Sequence, residues 1–534
     1  MGHVRTYVLG DMTARFQRLL GRSVLYCTEW DAFGLPNELA ALEAGVSPRV
    51  FTDHCIRQMR RQLQRLGISY DWSRIANTSD PTYYQWTQWL FLQMLKRGLI
   101  ERREADLNFC PRCDTTLARM QVINGLCWRC QTPVQIRRIP QWFIALSRYS
   151  EQLRRTLDDL DAWSDRAKAL LRGFIGDANG AETDRGYRVN DWLVSRQRNW
   201  GTPIPIVYCD SCGIVPVPDD QLPVILPDDL DWSLGSGALA RSKSFVDTTC
   251  PRCGAPSRRE TDTLDCFFDD IWCFMACLTR PRNRFSFSAH DLAQWMPMDR
   301  FHSGFDTFFY LHLHRFLGAF LFELGILDEP EPIRSHIGHD MILARGRKMS
   351  KHLGNAVAPD AIIERHGADA LRVAVLWAAG PQRTLDWSET HLGRAVALLH
   401  RVHDLYVHCA PALAGDAARI GEFAPAASKA ARALRAATDE TTDRIARFIE
   451  EYRPNAAIEA LATLFHRIDD YAPHRITTGR LATSDAIALA SILSDAAVAL
   501  TPFAPHLAEH CWRLLGRSPF IARARWPATT PGSA

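Results

Sequence analysis

The sequence predicts an α/β region followed by an all-α region, and three observations support this division. Residues 10–75 alternate between helical and strand-like hydrophobic patterns, as expected where strands and helices succeed one another in a single layered domain, and residues 23–27 are predicted to form a short buried strand. Four Cys-x-x-Cys pairs between residues 110 and 253 indicate cysteine-rich insertions in this first region. From Ala395 to Leu515 the chain is rich in Ala, Leu and Arg at helical spacing, with a Pro- and Gly-flanked break near 410–425.

Length and composition place the chain among ordinary globular proteins. It has 534 residues, of which 47% are hydrophobic and 23% charged, enough for about three or four domains. The formal charge of +3 is weak, so any nucleic-acid contact must come from local patches. No apolar run approaches the roughly 20 residues that span a membrane, and no signal peptide opens the sequence. We therefore expect a cytoplasmic protein without a membrane partner.

The cysteines follow the spacing of metal ligands. The chain has 15 cysteines, and eight of them form Cys-x-x-Cys pairs that fall into two sets of four. Such pairs indicate structural Zn²⁺ sites in a reducing compartment, whereas isolated buried cysteines would lack this pairing. Four thiolate ligands leave no open coordination position, so we expect no catalysis there. The predicted ligands are Cys110, Cys113, Cys127 and Cys130 in the first set, and Cys209, Cys212, Cys250 and Cys253 in the second.

A basic loop, Arg347-Lys-Met-Ser-Lys-His-Leu-Gly-Asn355, suits a polyphosphate ligand. Lys348 and Lys351 can each place an ammonium on phosphate oxygens, and Ser350 can donate nearby. A loop with two lysines is more commonly a solvated surface feature. Only six residues of this chain are lysines, however, and two of the six lie here.

Three segments resemble class I aminoacyl-tRNA synthetases, in particular the leucyl enzymes. The basic loop resembles the KMSKS signature, with His352 in place of its last Ser. Met1-Gly-His-Val-Arg-Thr-Tyr-Val-Leu-Gly-Asp11 is similar to the leucyl run HMGHVRNYTIGD. Trp30-Asp-Ala-Phe-Gly-Leu-Pro36 matches GWDAFGLP except that Glu29 replaces the first Gly.

This resemblance implies a fold, a reaction and a set of site residues. The fold would be a doubly wound Rossmann-type catalytic domain with zinc-binding insertions, followed by an all-α anticodon-binding-like bundle. The reaction would use ATP with Mg²⁺ to activate leucine or a related aliphatic amino acid and transfer it to a leucine-accepting tRNA, by a protein that we expect to be a monomer. Asp31 would hold the substrate α-ammonium, and His3, Lys348 and Lys351 would act on the phosphates. The residues implied in nucleotide binding are Gly2, His3, Gly304, Asp306, Lys348, Met349, Ser350 and Lys351.

The sequence departs from the family at its start and in the middle. The first His of the HIGH element and the strand before it are missing from the sequence as given, so we expect the chain as written to bind ATP poorly. Gly173–Ala181 is followed almost directly by Tyr187–Pro205, where the leucyl enzymes insert a hydrolytic editing domain. A hydrophobic pocket separates substrates that differ by one methylene by only ~1–3 kcal/mol, which is why such enzymes edit. We expect no editing in cis.

The predicted amino-acid pocket departs as well. Asp269-Asp-Ile-Trp-Cys-Phe274 stands where the family has DSSWYY, and Phe301-His-Ser-Gly-Phe-Asp306 stands for YIGGxE. Thr307 and Leu311 replace two pocket histidines, and we expect the nearby His312 and His314 to be helix-face residues instead of ligands.

A second HIGH sequence, His336-Ile-Gly-His339, lies too close to the lysine loop to clamp ATP from the opposite side. We expect it to end a buried strand.

Two other functions stay open from the sequence. One is a paralogue that loads an amino acid onto a small-molecule acceptor, and the other is a catalytically impaired RNA-binding remnant. The predicted segments are the first half of the Rossmann-type domain (1–105), a zinc-knuckle insertion with a short connective segment (106–190), a catalytic segment with the second cysteine set (191–262), the second half of the Rossmann-type domain with the lysine loop (263–390), and the helical domain (391–534).

Overall fold

The computed structural model describes residues 2–117, 121–176, 191–232, 237–278, 288–349, 355, 357–413, 427–479 and 481–527. Within these ranges the α/β region begins with a helix and contains three short parallel ladders. The helices of its first part are α1 (Gly2–Leu19), α2 (Leu35–Glu43), α3 (Pro48–Arg65) and α4 (Pro81–Lys96). Proline at the first turn favours the starts of α2, α3 and α4, and the Ser47 hydroxyl caps α3 by accepting from Val50 N.

The parallel ladders form the scaffold of the α/β region. Strand β1 (Glu29–Trp30) pairs with β2 (Ala76–Asn77). Strands β3 to β14 belong to the inserted part of the chain described below, and β15 (Phe301–Gly304) then pairs with β16 (His336–His339). Strand β17 (Ile342–Ala344) pairs in parallel with β19 (Leu385–Asp386) and antiparallel with β18 (Arg347–Lys348). The predicted strand over residues 23–27 is wrong, because the ladder with β2 reaches only Glu29 and Trp30.

Antiparallel sheets make up the cysteine-rich insertions. A long hairpin of β3 (Ile100–Cys110) and β7 (Gln135–Ile144) is flanked by β4 (Thr115–Leu117) and β8 (Trp192–Leu193). The other strands of this part are β5 (Val122–Ile123), β6 (Leu126–Cys127), β9 (Ser195–Arg196), β10 (Ile206–Cys209), β11 (Gly213–Pro216), β12 (Asp247–Thr249), β13 (Pro256–Arg259) and β14 (Thr263–Leu264).

Helices fill the space between these sheets and the parallel ladders. They are α5 (Ser150–Arg155), α6 (Asp165–Ile175), α7 (Ala238–Arg241), α8 (Lys243–Val246), α9 (Cys266–Asp270), α10 (Cys273–Ala276), α11 (Ala289–Trp295) and α12 (Phe308–Glu323). Helices α13 (Pro359–His366) and α14 (Ala368–Trp377) follow the lysine loop. The apolar faces of α4, α6 and α12 share one core, which places the inserted helices against the scaffold.

The C-terminal region is an all-α bundle, as predicted. Its helices are α15 (Glu389–Leu413), α16 (Lys429–Glu450), α17 (Pro454–Thr477), α18 (Thr483–Leu500) and α19 (Pro505–Leu514). Among the described residues, one helix, α18, is long and apolar enough to cross a membrane by length and composition alone, but 72% of it is buried within the protein, as in a core helix. The bundle shares its core with α1 and α14, so the first helix of the chain is packed against the last domain.

Candidate active site

The predicted substrate carboxylate, Asp31, directly follows strand β1. The backbone of the next residue, Ala32, is held by two hydrogen bonds that fix the end of the strand. Ala32 N donates to Thr78 Oγ1 over 2.9 Å, and Trp200 Nε1 donates to Ala32 O over 2.7 Å. Water can reach Asp31, yet the surrounding protein desolvates it, and with Asp265 nearby its pKa rises to about 7. Asp31 is thus open to water on one side and surrounded by protein on the others, and we call this partly enclosed space the recess. This is the carboxyl end of a parallel strand, where α/β sheets bind ligands.

Further carboxyl groups surround Asp31. Glu29 precedes it by two residues, and its Oε2 accepts from Tyr83 Oη over 2.8 Å. Asp270, at the end of α9, accepts from Tyr310 Oη over 3.0 Å. Burial, and then the charge of Asp31, raises the pKa of Asp270 well above its usual range. Burial also raises the pKa of Glu29 well above its usual range. The hydrogen bond from Tyr83 lowers this pKa, and the charge of Asp31 raises it further. The recess therefore contains several carboxyl groups, and burial favours the protonated forms of Glu29 and Asp270.

One neighbouring carboxylate is neutralised within the protein. Asp265, the N-cap of α9, forms a buried ion pair with Arg196 on β9 and accepts from Phe267 N. Burial lowers the pKa of Arg196, although the charge of Asp265 opposes that shift. Glu29, Asp31 and Asp270 form no ion pair with any described Lys, Arg or His. Because burial raises the pKa of all three carboxyl groups, a bound cation would favour their ionised forms, and none of the described residues supplies that cation.

A second group of predicted residues meets at the ends of β15 and β16. Gly304 ends β15, and a Cβ at this position would collide with Asp306 Oδ1. His339 ends β16, and its Nε2 lies 2.6 Å from Thr6 Oγ1 on α1. Burial lowers the pKa of His339, and the charged groups acting on it include Asp306 and His3. The structure therefore brings His3, Gly304 and Asp306 together, with exposed His3 on the first turn of α1.

The segment from Gly304 to Tyr310 joins the two groups. It begins at the end of β15, passes Asp306 and enters α12, whose Tyr310 donates to Asp270. The acidic recess and the histidine-containing edge both lie at the carboxyl ends of parallel strands and are connected by this short segment.

Buried arginine interactions hold α1 in this position. The Arg5 guanidinium is 1% exposed and donates to four backbone carbonyls, those of Asp340, Ala379, Gly380 and Arg383, over 2.8–3.2 Å. Further along α1, Asp11 accepts from Arg372 over 2.7 Å and from both the amide and the hydroxyl of Ser69 over 2.6 Å. These contacts fix the first turn of α1, and with it His3, against the strand ends.

The lysine loop follows a tight hairpin. Arg345 and Gly346 both have positive φ, at 57° and 70°, in the two-residue turn between β17 and β18. Lys348 pairs with Leu343 through the backbone, and Met349 packs partly buried against the core that contains α1. The side chain of Lys348 and all of Ser350 and Lys351 lie outside the described residues. Their predicted contacts with phosphate stay predictions.

Both predicted cysteine sets converge in space. In each set the four sulfur atoms lie within 4.8 Å of one another, with Cys110 Sγ 3.4 Å from Cys130 Sγ and Cys209 Sγ 3.6 Å from Cys253 Sγ. Tetrahedral zinc with Zn–S bonds of 2.3 Å requires sulfur–sulfur distances of about 3.8 Å. Cys113 N also donates to Cys110 Sγ, and Arg252 N to Cys250 Sγ. Both sets fit a tetrahedral metal ion.

The two expected helix-face histidines lie on α12, and both are buried. His314 Nδ1 lies 2.9 Å from Ile271 O, and His312 is fully buried beside Phe174. Burial lowers the pKa of His312 to about 3 and that of His314 to about 4, so both are neutral. The HIGH sequence at 336–339 forms strand β16, also as predicted.

Sequence reasoning missed two functional features of the site. It assigned no role to Arg5, although Arg5 lies within the first signature segment, or to Tyr310. It recorded Glu29 and Asp270 only as departures from family motifs. Glu29 replaces a Gly and Asp270 replaces a Ser of the family motifs. Two acids in place of uncharged residues were a signal that both could face the same recess.

Two family models match the chain. The model "tRNA synthetases class I (I, L, M and V)" matches residues 1–388, and the model "Anticodon-binding domain of tRNA ligase" matches residues 431–533. The first match covers the parallel ladders and both cysteine sets, and the second covers helices α17 to α19 and most of α16.

Curated relatives resemble the chain over nearly its whole length. The leucine–tRNA ligase of Thermotoga maritima is 29% identical over 719 aligned positions, which cover 99% of this chain and 86% of that protein. The leucine–tRNA ligase of Symbiobacterium thermophilum is 30% identical, with the same coverage. The alignment with the Thermotoga protein has 719 positions and this chain has 534 residues, so at least 185 alignment positions are gaps in this chain.

Solved structures agree with this relationship. A crystal structure of Agrobacterium radiobacter K84 agnB2 LeuRS, in a ternary complex with tRNA and LeuAMS, superposes with a TM-score of 0.87 at 26% identity, covering 98% of this chain and 84% of that one. Mycobacterium tuberculosis methionyl-tRNA synthetase shares the fold, with a TM-score of 0.69 at 20% identity over 97% of this chain and 91% of that one. The predicted Rossmann-type domain with a helical C-terminal domain is confirmed, and the chain belongs to the class I tRNA synthetases as a leucyl-tRNA synthetase-like aminoacyl-tRNA ligase.

Proposed function

We propose that this enzyme activates leucine or a related aliphatic amino acid with ATP and transfers it to tRNA. In the first step a carboxylate oxygen of the amino acid attacks the α-phosphorus of ATP, the bond to the β-phosphate breaks, and pyrophosphate leaves. In the second step a ribose hydroxyl of the tRNA attacks the acyl carbon, loses its proton, and displaces AMP. The protein contributes positioning and charge stabilisation, with no covalent intermediate on the chain.

The observation that carries this proposal is Asp31 at the carboxyl end of β1, in a recess whose acids lack a described cationic partner. Asp31 would receive the α-ammonium of the amino acid. This would hold the substrate carboxylate near the edge formed by His3, Gly304 and Asp306. Gly304 and Asp306 would bind the ATP ribose, since a carboxylate can accept from two hydroxyl groups.

The remaining site residues would act on the phosphates. His3 and the backbone of Gly2 lie on the first turn of α1, where helix geometry favours phosphate binding. Lys348 and Lys351 would approach from the lysine loop, with Met349 and Ser350 completing its contact with the nucleotide. Mg²⁺ would accompany ATP and neutralise part of its charge. Zn²⁺ in the two cysteine sets would stabilise the insertions without taking part in the reaction.

A tRNA acceptor is supported by the anticodon-binding domain matched over 431–533 and by the tRNA complex of the related structure. We propose a leucine-accepting tRNA, bound by a cytoplasmic monomer. Transfer to a small-molecule acceptor is a second candidate, because Glu182–Gly186 alone separates the two segments that an editing domain would divide. A chain without that domain would not hydrolyse mischarged tRNA in cis. We keep the five predicted segments, 1–105, 106–190, 191–262, 263–390 and 391–534, as the proposed domain organisation.

Amino-acid-dependent exchange of labelled pyrophosphate into ATP tests the activation step. Because weak ATP binding is expected, exchange is measured at high ATP concentration, where the wild-type chain should act on leucine or another aliphatic amino acid. Asp31→Ala should raise the KM for the amino acid while leaving ATP binding nearly intact. Asp159→Asn, which removes an exposed carboxylate far from the strand ends in sequence, is the matched control and should behave as wild type. An unchanged KM in Asp31→Ala, or no exchange with any amino acid, would refute the proposal.

A further inference from the structure

The amino-acid recess contains more carboxyl groups than one α-ammonium can pair with. Glu29 and Asp270 stand where the resembling motifs have Gly and Ser, so this chain adds two carboxyl groups beside Asp31. They come from β1 and from the end of α9. The fold therefore brings together two acids that are separated by more than two hundred residues of sequence.

Asp270 is the better placed of the two to bind a ligand. It is 5% exposed, its Oδ2 accepts from Tyr310, and its Oδ1 has no hydrogen-bond partner among the described residues. The charged groups that act on it most strongly are Asp31 and then Glu29. An oxygen that is buried without a donor, facing two other acids, costs stability unless a ligand supplies a donor or a charge.

The walls around this oxygen suit a short aliphatic chain. Phe267 packs against Phe309 and Tyr310, with ring centroids 5.1 and 5.2 Å apart, so aromatic surface lies next to the Tyr310–Asp270 hydrogen bond. The Glu29 carboxyl is held by Tyr83 Oη, and Tyr83 also donates to Asp269 O over 2.7 Å. Methylene groups could thus pack on aromatic rings while a terminal donor reaches the acids.

A bound metal ion explains the recess less well. The clusters of ligand atoms in the described residues that lie within 4.8 Å of one another are the two cysteine sets, and the recess acids are not among them. A cation on a flexible chain does not need such a compact arrangement of ligands.

We propose that Glu29 and Asp270 form a subsite for a second ammonium group, so that the preferred substrate is an aliphatic diamino acid. This inference rests on the proposed activation reaction and narrows its amino acid: the α-ammonium binds Asp31, and the side-chain ammonium donates to the Asp270 carboxylate.

The test compares each diamino acid with its uncharged isostere. Pyrophosphate exchange is measured with 2,4-diaminobutyrate against norvaline, ornithine against norleucine, and leucine as reference. We expect at least one diamino acid to exceed its isostere at least tenfold in kcat/KM. Asp270→Ser, which restores the motif residue, should remove that preference or reverse it, and Asp159→Asn should leave it unchanged.

Calorimetric titration of the wild-type chain with the same amino acids provides a readout that does not depend on catalysis. The inference predicts tighter binding of the diamino acid than of its isostere in the wild type, and loss of the difference in Asp270→Ser. If leucine and the isosteres are exchanged and bound at least as well as the diamino acids, the subsite is wrong and the proposed activation stands. If no amino acid is exchanged, the activation reaction itself is refuted, and an equal affinity for both members of each pair refutes the subsite.

Discussion

Replacing Asp11 by Asn should destabilise the protein by about 2–3 kcal/mol. Asp11 and Arg372 are both fully buried, and Arg372 also donates to the carbonyls of Leu66, Pro502 and Phe503. Burial raises the pKa of Asp11, but the charges of Arg372 and Arg15 and the hydrogen bonds from Ser69 outweigh it and lower the pKa from 3.8 to about 2. One pKa unit corresponds to about 1.4 kcal/mol, which gives the magnitude above.

The sign of the pH dependence follows from the lowered pKa. The unfolded chain binds a proton at Asp11 near pH 4 and the folded chain only near pH 2, so the contribution is fully present above about pH 4 and is lost as the pH falls towards 2. Urea unfolding followed by tryptophan fluorescence should therefore give the same loss of stability in Asp11→Asn at pH 7 and at pH 5. Asp159→Asn should show no loss. A difference below 0.5 kcal/mol, or one that disappears between pH 7 and pH 5, would refute this account of how α1 is held.

Three further outcomes are expected. Cys113→Ser should lower the zinc content and the thermal stability together, because a structural site couples metal binding to folding. The control Cys55→Ser should change neither quantity, and freshly purified protein without zinc would contradict the assignment. Since the pKa of Asp31 is raised to about 7, kcat/KM for the amino acid should fall about tenfold per pH unit below that value, and Asp31→Asn should lose this dependence. Arg5→Met should destabilise the protein by about 3 kcal/mol in urea unfolding and weaken ATP binding, because four buried carbonyls lose their hydrogen-bond donor. An unchanged stability would contradict this and would show that water replaces the guanidinium as donor.

Features carried by short sequence spacing could be predicted. The two cysteines of a Cys-x-x-Cys pair are close in sequence and therefore close in space, so a four-sulfur cluster requires only that two such pairs meet. Both predicted sets form such a cluster. Asp31 was identified as a candidate because a motif of adjacent residues surrounds it, and the structure places it directly after β1. The helical C-terminal domain followed from periodicity that continues over many turns.

Features that depend on long-range contacts could not be predicted. Glu29, Asp270 and Tyr310 belong to three elements distant in sequence, and only the folded chain shows that their polar groups face one recess. Arg5 acts through backbone carbonyls, which leave no signal in the sequence. The strand expected at 23–27 has a suitable pattern, but strand formation depends on a pairing partner that the pattern does not encode.

The most direct test of the central claim is the ATP-dependent formation of aminoacyl-tRNA. The wild-type chain is incubated with ATP, labelled amino acids and total tRNA, and the acylated RNA is digested so that mass spectrometry identifies the aminoacyl-adenosine. We expect an aminoacyl ester on the terminal ribose of a leucine-accepting tRNA, formed by wild type and Asp159→Asn but not by Asp31→Ala. Adenylate that accumulates without labelled tRNA, or equal labelling by Asp31→Ala, would contradict it.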